Sequence, residues 1–192
     1  MAASATPKDR RLADREARIV DSARALAEAE GWDAVTTRRL ADSIEYSQPV
    51  LYGHFPDGKS QIVTAVALVG FRELAAALAT DTQHRRGADR LRALVTTYLA
   101  FADRHPATYE AMFRLPIGAP FAADNTPPEL SAGFIAIVDA LNTLDPPPDD
   151  LGTAAEVLWG AMHGLATLTR AGRFRPEQHD RRIDELVRTF TR

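Results

Sequence analysis

Residues 36–55 read "TTRRLADSIEYSQPVLYGHF", and this stretch decides the fold. It holds two short helical patterns on either side of a turn. Leu40, Ala41 and Ile44 mark the first, with Thr36 as its N-cap. Ser47 caps the second, and Pro49 falls in its first turn, where a missing N–H costs nothing. Leu40, Ala41, Ile44, Leu51 and Phe55 can pack inward against Ile19 and Leu26 of a preceding helix. That leaves Gln48, Pro49, Val50 and Tyr52 outward, which is the layout of a helix-turn-helix. The outward surface carries no acidic side chain. Helix N-terminal N–H groups there suit phosphate. Gln48 suits an adenine edge and Val50 a thymine methyl. Tyr52, His54 and Lys59 suit the flanking backbone. An ordinary helical hairpin satisfies the same periodicity.

Working outward, helical spacing dominates and strand-like alternation is nearly absent. Ile19, Ala23, Leu26 and Ala27 form the stripe of a first helix that Gly31 closes. A long apolar helix follows the "PDG" turn, from about Lys59 to Ala79. After "QHRRGAD", the residues Leu91, Leu94, Val95, Tyr98 and Phe101 form another, stopped by Pro106. A short helix in "ATYEAMFRL" ends before Pro116, and "PIGAPFAADNTPP" is a loop. Leu130, Phe134, Val138 and Leu141 share one face. "DPPPDD" at 145–150 breaks the chain again. Leu151, Leu158, Met162 and Leu165 lie on a long helix, and Ile183, Leu186, Val187 and Phe190 on a last one. The expectation is all-α: a three-helix helix-turn-helix domain followed by a larger helical bundle, about nine helices in total.

Composition narrows the function. With 192 residues, 45% hydrophobic and 26% charged, the chain can bury a sizeable core. No uninterrupted run of eighteen apolar residues is present, so no membrane partner is expected. The N-terminal stretch lacks the apolar middle of a signal peptide. The absence of cysteine excludes disulfides, thiolate catalysis and zinc–thiolate sites, and fits a cytoplasmic location. Net charge is −3, and residues 1–60 hold nine basic against ten acidic side chains. Any DNA binding must therefore come from arrangement rather than from total charge. Lys8, Arg10, Arg11 and Arg15 make the N-terminus basic, and residues 1–13 are expected to form a flexible basic arm. It reads either as a solvated, frayed terminus or as a flexible arm that adds phosphate or minor-groove contacts.

The block at 36–55, followed by "PDGKSQIVTAV", resembles the DNA-binding domain of the tetracycline-repressor (TetR) family of bacterial regulators. The shared marks are Thr36, Leu40-Ala41, Ser47, Leu51-Tyr52, His54-Phe55 and Lys59. The resemblance implies Thr37 and Arg38 near phosphates at the start of the helix that Thr36 opens, all three within the DNA-binding set, with Tyr52, His54 and Lys59 on the backbone. It implies Ser47 at the start of the recognition helix and Gln48, Pro49 and Val50 facing bases. One departure stands out. The family has Ala-Gly at the turn, whereas this chain has Ile44-Glu45. Glu in a left-handed conformation costs roughly 1 kcal/mol. The second half, with Trp159, His163 and Gly164, resembles the ligand-binding region of a subgroup named for a Trp-His-Gly motif.

Residues 14–58 are thus expected to form the helix-turn-helix domain, and 59–192 a helical ligand-binding and dimerisation domain. Gly160, Ala161, Gly164 and Ala166 make one helix slender enough for another to approach closely, and the family resemblance implies a homodimer. Tyr98, Phe101, Tyr109, Met112, Phe113, Phe134 and Trp159 offer apolar walls for a small-molecule effector, with Glu110, Arg114 and His163 as polar candidates. Each of these side chains also reads as ordinary core. No helical metal pair, nucleophile elbow or phosphate-cradling glycine loop occurs, so no cofactor, no metal and no enzyme activity is expected. The reading is a ligand-responsive repressor that binds a palindromic operator in double-stranded DNA as a homodimer. A helical protein-interaction adaptor and an all-α enzyme without DNA binding are the alternatives.

Overall fold

The computed structural model describes residues 6–117 and 126–191 of the chain. All regular structure among them is helical. The nine α-helices are α1 (Pro7–Glu30), α2 (Thr37–Ser43), α3 (Gln48–His54), α4 (Lys59–Thr82), α5 (Gly87–Arg104), α6 (Pro106–Phe113), α7 (Pro128–Leu141), α8 (Leu151–Arg170) and α9 (His179–Phe190). One-turn 3-10 segments lie at Trp32–Ala34 and Pro176–Gln178. The all-α expectation and its helix number hold. Most of the loop expected at 116–128 falls outside the described residues.

The described residues form two compact units. The first runs up to Gly70 and resumes at Pro106 for the rest of that described stretch. The second holds Phe71–His105 and everything described after the loop. The first half of α4 thus belongs to one unit and its second half to the other.

In the first unit, α1 buries Ile19, Val20, Ala23 and Ala27, a stripe at helical spacing. Leu26 is only half-buried. The helix stops where Gly31 takes φ 83 and its N–H bonds back to the carbonyl of Ala27. Such a positive φ is open to glycine without a Cβ penalty. The start of α1 departs from the expected flexible arm. Thr6 and Asp9 form a reciprocal capping box, with Pro7 in the first turn, so the chain is helical from Pro7 onward. Residues 1–5 of that expected arm lie outside the described residues.

Helices α2 and α3 have seven residues each, well short of the roughly 12–15 that persist alone. Burial sustains them. Leu40, Ala41, Ile44, Leu51 and Phe55 are all buried, and each large side chain contributes about 1.5–3 kcal/mol. Helix α6 closes the same unit. The Glu28 carboxylate accepts hydrogen bonds from the Ala107 and Thr108 amides, 2.9 Å each, and from the Thr108 hydroxyl at 2.7 Å. The Trp32 indole donates to the Ala107 carbonyl at 2.7 Å.

The second unit buries Leu91, Leu94, Val95, Tyr98 and Phe101 of α5 with Leu130, Ile137 and Leu141 of α7. Ala155, Leu158 and Met162 of α8 and Ile183 and Val187 of α9 are buried as well. Polar ties join its helices. Thr97 donates to Asp81 at 2.6 Å, the Gly87 amide donates to Thr143 at 3.0 Å, and Arg92 pairs with Asp184. By length and composition α4 is apolar enough to cross a membrane. Yet Ile62, Val63, Val66 and Ala67 of its first half, and Phe71, Leu74 and Leu78 of its second, are buried in the protein itself.

Candidate nucleic-acid interface

The turn between α2 and α3 is tight, and its geometry matches the departure noted in the sequence. Glu45 adopts φ 57, the positive φ of a non-glycine residue. The Tyr46 amide reaches back to the Ala41 carbonyl at 2.9 Å, closing α2 around that left-handed residue. The strain is about 1 kcal/mol. One buried leucine offsets it, which is why the fold keeps the turn without glycine.

Thr36 caps α2 as expected, accepting from the Arg39 amide at 3.2 Å. Ser47 occupies the N-cap position of α3 but makes no side-chain capping bond, so its hydroxyl is exposed and uncommitted to the helix. Gln48, Pro49, Val50 and Tyr52 all point outward. Val50 and Tyr52 are 38% and 45% exposed, large apolar surfaces left uncovered on a short helix. Arg38 is exposed and Thr37 half-buried. The Thr37 hydroxyl lies 3.5 Å from the Tyr52 phenol, so the first turn of α2 and the outer face of α3 present one continuous surface.

Two of the expected contact residues are placed differently. His54 lies three residues beyond buried Leu51 and therefore shares its inward face. Its side chain is only 5% exposed, with Nδ1 3.4 Å from a Glu16 carboxylate oxygen. It braces α3 on α1 rather than facing outward. Lys59 opens α4 as expected, but its ammonium donates to the Trp32 carbonyl, leaving two further N–H donors.

Three neighbouring contacts escaped the sequence reading. Arg39 is held by Glu30, at 2.8 and 3.0 Å, which lowers the Glu30 pKa through the charged hydrogen bond. Arg18 donates to the Tyr46 phenol at 3.1 Å and lies 5.3 Å from its ring centroid. Ser22 and Ser43 join α1 to α2 at 2.8 Å. These pairs are 9, 28 and 21 residues apart, beyond the reach of helical spacing, so periodicity carries no signal for them.

The expected effector-site residues divide between the units. Tyr98, Phe101, Phe134, Trp159 and His163 belong to the second, where the Trp159 indole donates to the Tyr98 phenol at 3.2 Å. Tyr109, Glu110, Met112 and Phe113, with Arg114 beside them, sit on or just after α6 in the first. Tyr109 and Phe113 stack with ring centroids 4.7 Å apart, and Arg114 lies 3.8 Å from Glu110. Among the described residues no group of three His, Asp or Glu side chains is placed to hold a metal.

Comparison with known proteins agrees with this geometry. Residues 19–66 match the family described as bacterial regulatory proteins, tetR family. Residues 91–190 match the tetracyclin repressor-like C-terminal domain. An uncharacterised HTH-type transcriptional regulator of Mycobacterium tuberculosis is 27% identical over 158 residues, covering 80% of this chain and 69% of that protein. A solved Rhodococcus protein of unknown function superposes with a TM-score of 0.76 at 25% identity, covering 91% of this chain and 92% of the other. A tetR-family regulator from Streptomyces coelicolor has the same fold, with a TM-score of 0.69 at 23% identity, covering 93% and 79%.

Proposed function

The chain belongs to the tetracycline-repressor (TetR) family of DNA-binding transcriptional regulators, and from that premise we propose that it acts as a homodimeric, ligand-responsive repressor in the cytoplasm. The observation that carries the reading is the outward face of α3. Gln48, Pro49, Val50 and Tyr52 are exposed together, with no acidic residue among them. Such a surface suits a major groove: Gln48 offers paired donor and acceptor to adenine, and Val50 offers an apolar contact to a thymine methyl. Thr36, Thr37, Arg38, Ser47 and Tyr52 border it as phosphate ligands, and Lys59 supplies its remaining donors. His54 takes an internal role.

The homodimer is supported by α8. Val157 and Leu168 are 59% and 42% exposed, and a Cβ added at Gly160 or Gly164 would meet no atom within 4 Å. Among the described residues no neighbour excludes a side chain at either glycine. A second helix packed closely against this face would require them, and pairing α8 and α9 with a symmetry mate makes a four-helix interface. Two recognition helices then address a palindromic operator in successive major grooves, roughly 34–36 Å apart. In the second unit, Tyr98, Phe101, Phe134, Trp159 and His163 form the proposed effector-binding set, suited to a largely apolar small molecule. To lower operator occupancy a hundredfold, the effector must favour the non-binding geometry by about 2.7 kcal/mol.

Binding-site selection from a randomised duplex library tests the reading of α3. The unaltered chain should return a two-fold symmetric consensus, and Gln48→Ala should change the preferred base at one position in each half-site. An identical consensus from both proteins removes Gln48 as a reader.

A further inference from the structure

Where the sequence suggests a flexible arm, α1 runs on beyond the buried part of its unit. From Pro7 to Arg18 every residue is exposed except half-buried Glu16. At about 100° per residue, Lys8, Arg11, Arg15 and Arg18 fall within roughly 80° of the helix circumference. Lys8, Arg11 and Arg15 border one shallow depression together with Leu12, so they share a face in the folded protein and not only on a wheel. Among the described residues none of these three is paired with a carboxylate. The neighbouring acids are directed elsewhere: Asp9 folds back onto Thr6, and Glu16 turns to His54. Asp14 flanks the row at one edge.

Arg18 fixes which way the row faces. Its guanidinium is bonded to Tyr46, and Tyr46 immediately precedes the N-cap of α3. A line of cations therefore leads away from the start of α3 along a helix anchored in the same unit. We propose that Lys8, Arg11 and Arg15 form a rigid rail that binds phosphates of one DNA strand just outside the half-site addressed by α3. This rests on the reading of α3 as the groove-facing helix. Charge complementarity selects DNA as the occupant, because three unpaired cations on one face suit a polyanion of regular spacing. From Lys8 to Arg15 the helix rises about 10.5 Å, the axial length of about three phosphates on one strand. The local row thus supplies what the overall balance of the first sixty residues, nine basic against ten acidic, does not.

The test uses the full chain and a duplex that the unaltered chain has itself selected from a random library. The triple variant Lys8→Gln, Arg11→Gln, Arg15→Gln should reduce the magnitude of the slope of log K against log salt by about 5.4 for the dimer, or 0.9 for each of three phosphates per half-site. Its consensus should stay the same. Trimming the duplex to its selected core should weaken the unaltered chain and leave the triple variant unaffected. Arg10→Gln, off the row, should change neither. Ala13→Pro breaks the helix within the row and should reproduce the triple variant's loss, with circular dichroism confirming that the remaining helices are intact. The rail is overturned if the triple variant keeps the full slope and flank dependence while Gln48→Ala still alters the consensus. A full slope in Ala13→Pro overturns its rigidity. If the unaltered chain selects no duplex at low ionic strength, the reading of α3 fails and the rail with it.

Discussion

The carboxylate of Glu28 on α1 holds the first turn of Thr108 on α6, accepting from its amide at 2.9 Å and its hydroxyl at 2.7 Å. Residues 80 positions apart in the chain are thereby made one unit. An ionised acceptor contributes about 1.5–3 kcal/mol per hydrogen bond, and orphaned donors add their desolvation cost. Glu28→Ala should therefore lower unfolding free energy by about 2–4 kcal/mol. Glu28→Gln, which keeps one acceptor, should cost less than half of that. Urea titration of both variants checks the order, and a loss well under 1 kcal/mol for Glu28→Ala would show that the acceptor pair is unimportant.

Gly70 on α4 provides a second anchor for α6. A Cβ there would stand 2.6 Å from Thr108 Cγ2 and 2.7 Å from Met112 Sδ. Met112 is flexible and can yield, but β-branched Thr108 is stiff. Overpacking costs about 1–3 kcal/mol, against a helix-propensity gain near 1 kcal/mol for Gly→Ala. Gly70→Ala should thus destabilise the protein by about 1 kcal/mol, and a rise in Tm would mean that α4 and α6 separate readily.

Glu45→Gly removes a side chain from φ 57. The variant should gain up to about 1 kcal/mol in stability. It should also bind DNA more tightly at low salt, through the loss of an acid from the turn that leads into α3. Thermal melts and salt-dependent binding check the two effects separately.

The pattern of Thr36, Ile44-Glu45, Ser47-Pro49 and Lys59 was enough to locate the turn, its strain and the start of α4, because each depends on backbone chemistry within a few residues. The helical start at Pro7 was also legible, in Thr6-Pro7 and Asp9, though the neighbouring basic residues suggested an arm. By contrast, His54 turning onto Glu16, Lys59 bonding to Trp32 and α6 joining α1 through Glu28 are pairings 38, 27 and 80 residues apart. They follow from tertiary packing, which has no periodic signature. The division of the aromatic set has the same origin. Tyr98 and Tyr109 are close in sequence, yet Pro106 begins a helix that packs in a different unit.

The exposed face of α8 yields a prediction about assembly. Val157→Asp with Leu168→Glu should leave the helical content of the chain unchanged while converting a dimer to a monomer in sedimentation equilibrium. DNA binding should weaken at least tenfold, since a single recognition helix then holds one half-site. A variant that remains dimeric would place the partner surface elsewhere, and a monomeric unaltered chain would contradict the homodimer itself.

Chemical footprinting of the chain on its own selected duplex addresses the groove-facing role of α3 most directly. Guanine N7 and phosphate protection should appear as two equivalent patches, with centres 10–10.5 base pairs or a whole multiple apart, both lost in Tyr52→Glu. Protection confined to one patch, or spread evenly along the duplex and unaffected by Tyr52→Glu, would contradict it.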